Sequence, residues 1–97
     1  MLVVIFGARI RLLDSEYSEM AARIRELALK NFGCIHFQAV TEGREELVLS
    51  FWHSEADVRA CKSHPEHLLA QKAGQERWYE SYTVQIATVT REYSVSN

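Results

Sequence analysis

The chain has 97 residues, 47% of them hydrophobic and 25% charged, with a formal charge of −2. That length predicts one domain spanning residues 1–97, and the near-balanced charge gives no sign of nucleic acid or an anionic membrane as partner. No apolar run approaches the roughly 20 residues that cross a bilayer, and the opening Met1-Leu2-Val3-Val4-Ile5-Phe6 lacks the basic flank and cleavage site of a signal peptide, so a cytoplasmic location is expected.

Residues 2–12 alternate with the period of a strand, placing Leu2, Val4, Phe6, Ala8, Ile10 and Leu12 on one face and Val3, Ile5, Gly7, Arg9 and Arg11 on the other. Asp14 or Ser15 can accept from the free amides of a first helical turn, which predicts a helix from about residue 15. Tyr17, Met20, Ala21, Ile24, Leu27 and Ala28 form its apolar stripe. Asn31 and Gly33 suit the left-handed conformation that ends a helix. A second strand is predicted over Cys34–Thr41 and a third over Leu47–Trp52, joined by the polar loop Glu42-Gly43-Arg44-Glu45 as an antiparallel hairpin. Ser54 heads a short helix running to about Lys62. Pro65 starts another, which carries Leu68, Leu69 and Ala73 and is expected to stop at Gly74. Tyr82–Tyr93, with Val84, Ile86, Ala87 and Val89, reads as a closing strand.

Strand, helix, strand, strand, broken helix, strand is the α+β order of a ferredoxin-like βαββαβ unit, a four-stranded antiparallel sheet with its helices on one face. The other face then bears Val3, Ile5 and parts of the second and fourth strands, an apolar surface that a second copy packed sheet to sheet would cover. Burying ~600 Å² of apolar area per subunit contributes about 15 kcal/mol before association entropy is subtracted, so a homodimer is expected.

Cys34 and Cys61 stand alone, without CxxC or metal-like spacing, and are read as packed, reduced thiols. His64 and His67 are three residues apart, yet His64 precedes the helix at Pro65 and no third ligand lies nearby, so no metal site is expected. His67, one turn before Ala70 and Gln71, can point inward as a hydrogen-bonding or proton-transferring group, or be satisfied by a nearby carbonyl. Trp52, Trp78, Tyr79, Tyr82, Phe37 and Phe51 are many rings for so short a chain; most serve as core, while some suit the walls of a site for a flat phenolic molecule. His36 and Gln38 share one face of the second strand, and either this pair or Ile35 and Phe37 turns toward such a site. No glycine-rich phosphate loop or dinucleotide fingerprint is present, so no nucleotide or flavin cofactor is indicated. Ser50, Ser81 and Thr83 lack a nucleophile elbow or an assigned base.

The run from Phe51-Trp52-His53-Ser54 through His64-Pro65-Glu66-His67 to Gly74-Gln75-Glu76-Arg77-Trp78-Tyr79-Glu80-Ser81-Tyr82 and the valine-rich end resembles the antibiotic biosynthesis monooxygenase family of dimeric α/β barrels. The resemblance implies a cofactor-independent monooxygenase that oxidises a polycyclic phenol or quinol-type small molecule with molecular oxygen, the substrate supplying the electrons. It also implies a pocket between sheet and helices, with His67 as catalytic proton acceptor and Trp52, Trp78, Tyr82, His36 and Phe37 binding substrate. A haem-degrading branch of the superfamily uses an Asn of the first strand with a Trp and a His of the second helical region. Here Gly7 or Ala8, Cys61 and Gln71 stand at those positions, so the chain departs from that pattern. The alternatives to an oxygenase are a non-catalytic dimer that binds a hydrophobic small molecule, and a haem-related role.

Overall fold

A computed structural model describes residues 1–97. Four strands, β1 (Leu2–Ile10), β2 (His36–Glu42), β3 (Glu45–Trp52) and β4 (Tyr79–Thr88), form one antiparallel sheet in the order β2-β3-β1-β4. Helix α1 (Ser15–Asn31) links β1 to β2, and α2 (Glu55–Lys62), α3 (Pro65–Ala73) and a π-helical turn over Gly74–Trp78 link β3 to β4. This is the expected α+β, ferredoxin-like fold. No helix is long and apolar enough to cross a membrane.

The caps follow the sequence. Asp14 Oδ1 accepts from the Tyr17 amide at 3.0 Å at the head of α1, and Ser54 Oγ accepts from the Asp57 amide at 3.3 Å at the head of α2. Gly33 takes φ +76° just after α1, a conformation that costs a side-chain-bearing residue energy and glycine little.

Several boundaries differ from expectation, among them the start of β3, which lies at Glu45 and not at Leu47. β1 stops at Ile10 because the amides of Arg11 and Leu12 both turn to the Trp78 carbonyl, at 2.7 and 3.2 Å. β2 begins at His36, since the Cys34 amide still bonds back to Ala28 of α1. Gly74 does not end the helical region: its φ of −60° and ψ of −46° are right-handed, and the chain continues through the π-helical turn. The close approach of Tyr79 explains the glycine, because a Cβ on Gly74 would lie 3.1 Å from Cδ2 of that ring. Finally, β4 covers Tyr79–Thr88 and not Tyr82–Tyr93. Its last pair is Leu2 with Thr88, after which the Val89 amide donates to the Met1 carbonyl.

Register assigns the faces. Val4 pairs with Ser50 and Ile86, Phe6 with Val48 and Val84, and Ala8 with Glu46 and Tyr82, and these residues face the helices. Val3, Ile5, Leu49, Phe51, Gln85 and Ala87 alternate with them and lie on the uncovered face. The core is divided. One cluster joins Ala8 and Ile10 to Ala73, Trp78 and Tyr79; the other joins Ala28 and Cys34 to Trp52, Val58 and Cys61.

Candidate functional site

Space remains between the two clusters. A cavity of about 440 Å³ lies under the helices and is walled by both, with Trp78 and Tyr79 contributed by one cluster and Trp52, Val58 and Cys61 by the other. Its lining is mostly apolar, the character of small-molecule sites. The strand alternation puts Phe37 there, and Val84 and Ile86 line it while remaining 41% and 46% exposed. Ala39 of β2 also lines it and is exposed, so exposed lining residues lie on both edge strands.

Five of the six residues expected at the site line this one cavity: His67, Trp52, Trp78, Tyr82 and Phe37. His36 does not. Phe37 points under the helices, so its neighbour His36 must point to the opposite face, where its ring lies 5.9 Å from that of Phe51. The choice left open between His36 with Gln38 and Ile35 with Phe37 thus falls to Phe37. Cys61 and Gln71, matched in sequence to the Trp and His of the haem-degrading branch, also line the cavity. Their positions agree with that correspondence, and their chemistry does not.

His67 projects from α3 with Nδ1 4.0 Å from the sulfur of Cys61. Burial, aided by the charges of Lys62 and His64, lowers its pKa below that of a free imidazole, favouring the neutral form that can take up a proton. The thiol of Cys61 is pushed up to about 11, chiefly by burial and then by Cys34, so it is protonated and a poor nucleophile.

The rings form a continuous wall. Phe6 stacks on Tyr82 at 5.4 Å and meets Tyr79 edge-on at 5.4 Å, while Tyr17 meets Trp78 edge-on at 5.3 Å. Both indoles are held by hydrogen bonds. Trp52 Nε1 donates to Ser50 Oγ at 2.8 Å, and Trp78 Nε1 donates to Asp14 Oδ1 at 3.1 Å.

One feature of the wall was not anticipated. Glu46, only 5% exposed, accepts from the hydroxyls of Tyr17 at 2.6 Å and Tyr79 at 2.8 Å. Burial first, then the bond to Glu46 and its charge, raise the pKa of both phenols, which keep their protons throughout the physiological range. The available signal was an acid on the inward face of β3, in the series Glu46, Val48, Ser50, Trp52. No group of three or more His, Cys, Asp or Glu side chains is arranged to hold a metal ion.

No family model matches the chain. It is 36% identical to the uncharacterized protein YqjZ of Bacillus subtilis (strain 168) over 81 residues, covering 81% of this chain and 70% of that protein. The chain belongs to the same family as YqjZ. Among solved structures it resembles SnoaB, a cofactor-independent oxygenase from Streptomyces nogalater, with a TM-score of 0.77 and 12% identity over 94% of each chain. Rv0793 from Mycobacterium tuberculosis gives a TM-score of 0.81 at 16% identity, covering 96% of this chain and 98% of that one. An antibiotic biosynthesis monooxygenase gives 0.69 at 14%, covering 94% and 100%. The resemblance drawn from the sequence is borne out by these neighbours, and at such identities what they share with this chain is the fold.

Proposed function

We propose that the chain is a cofactor-independent monooxygenase acting on a phenolic aromatic of two or three fused rings. The observation that carries this reading is a single neutral imidazole, His67, in an apolar, ring-walled cavity of about 440 Å³, on a fold shared with a cofactor-independent oxygenase. In the proposed reaction His67 takes the phenolic proton, and the electron-rich ring then reacts with dioxygen. One oxygen atom becomes a new ring carbonyl. The other leaves as water together with the phenolic hydrogen and the displaced ring hydrogen, so the substrate furnishes every electron and becomes a quinone. Trp52, Phe37, Trp78 and Tyr82 supply the flat surfaces that hold the ring system.

The working unit in this proposal is a cytoplasmic homodimer of one-domain subunits, joined through the uncovered sheet face. Val3, Ile5, Leu49 and Phe51 on that face support it.

The test is oxygen uptake by the purified protein with 1-naphthol, anthrone and related phenols. His67→Ala is expected to slow turnover by about 10²–10⁴-fold. Unchanged uptake in that variant would remove His67 as the base, and stoichiometric binding of every substrate without turnover would leave a binding protein in place of an enzyme.

A further inference from the structure

Around Glu46 the sheet wall offers acceptors. An ionised carboxylate has about four acceptor positions and no donor, and here Oε2 is engaged by Tyr17 and Oε1 by Tyr79. Each phenol has spent its one hydrogen on the carboxylate, so its oxygen has only acceptor capacity left. Lys62 and Gln71, which could donate, belong to the helical wall; on the sheet the hydroxyls of Tyr82 and Ser50 accept from Gln75 Nε2 and Trp52 Nε1 and keep hydrogens of their own.

A neutral side-chain amide oxygen could receive two hydroxyls. A buried carboxylate doing the same task costs several kcal/mol of lost hydration unless its partners are good, and it retains two acceptor positions after both tyrosines are served. Glu46, Tyr17 and Tyr79 all border the cavity beside Phe6 and Tyr82. A planar ring lying against those two rings would have its edge within reach of the free positions.

We propose that Glu46 is a specificity-determining residue: it accepts the hydrogen of a ring hydroxyl other than the one His67 deprotonates, and it disfavours the same ring system with a carbonyl in that place. The ligand class rests on the oxygenase reading given above; the role of Glu46 does not require turnover. A carbonyl in that place brings a lone pair against the lone pairs of the carboxylate and both phenols, so such a molecule is repelled there.

The test is calorimetric titration under argon, where no turnover occurs, with naphthalene, 1-naphthol, 1-methoxynaphthalene and 1-tetralone. A hydrogen bond to a charged acceptor discriminates by about tenfold or more. The native protein should therefore bind 1-naphthol at least about tenfold tighter than the methyl ether or the ketone. In Glu46→Gln, which keeps the shape and adds a donor, the preference should shrink to about twofold or reverse. Tyr79→Phe removes a competing donor, so it should preserve or widen the preference, whereas a purely structural triad would lose it. Should Glu46→Gln not fold, the native ratios together with Tyr79→Phe decide the matter. Absence of preference in the native protein, or the same preference in Glu46→Gln, would overturn the proposal. Binding of naphthalene without preference would remove Glu46 alone. No binding of any of the four would remove the aromatic site with it, and preference without oxygen uptake would remove only the enzyme.

Discussion

His67 is set apart from the other three histidines by its surroundings, because only it borders the cavity. Burial disfavours its charged form, so its folded pKa lies below the value near 6.5 of the unfolded chain. Between the two values the unfolded state binds more protons. The contribution of this residue to stability is thus complete above pH 6.5 and is lost as the pH falls through the lowered folded value. Thermal melts from pH 7.5 to 4.5 should show this loss, and His67→Gln should flatten it; equal acid sensitivity in both proteins would contradict the assignment. The acid limb of the oxygen-uptake profile should lie below pH 6.5 for the same reason. At this scale the sequence was readable where residue type and pattern agree. His67, Trp52, Trp78 and Tyr82 all carry a ring that can both pack and hydrogen-bond, and they were found together. Phe37 against His36 could not be resolved, because alternation fixes that neighbours point opposite ways and not which way the helices lie. Glu46 escaped notice because the third strand was expected only from Leu47, which left this acid beside the polar loop, and its two tyrosine partners lie 29 and 33 positions away.

Among the elements, the junction between α1 and the π-helical turn deserves the closest test. Asp14 caps α1 through Oδ1, which also accepts from the Trp78 indole, and its Oδ2 accepts from Arg77 Nη1 at 3.1 Å. One short side chain thereby fixes a helix start and a wall of the cavity together. Asp14→Ala should lower Tm by about 5 °C and weaken aromatic binding, whereas Asp14→Asn, which keeps the acceptor oxygen, should recover most of both. An Ala variant with native Tm and affinity would show that the junction is held by packing alone. Helix starts were legible because capping is local chemistry, and Asp14, Ser54 and Pro65 each announce themselves. Ends that depend on distant partners were not. Gly74 resembles a helix stop until Tyr79 is seen against its missing side chain, and Val89–Tyr93 has strand composition but lies past the last ladder pair, Leu2 with Thr88.

For the whole molecule, the fold order was recoverable because each element kept its own period, two for strands and nearly four for α1. The cavity was not, since a void is a property of how clusters fail to meet and no single residue encodes it. The uncovered sheet face carries the remaining prediction. Leu49 is paired with Ile5 near the middle of that face, away from the cavity. Leu49→Asp would bury an unpaired carboxylate in a sheet-to-sheet contact, at a cost of several kcal/mol. Sedimentation at micromolar concentration should show a dimer for the native chain and a single subunit for the variant; the same mass for both would refute the assembly. The two indoles described above have a separate practical consequence. They are the only tryptophans in the chain, and both border the same void, one tethered to a neutral hydroxyl and the other to a carboxylate. Tryptophan emission from this protein thus arises wholly from the chamber walls, so a guest molecule reports its own arrival optically, with no dye attached.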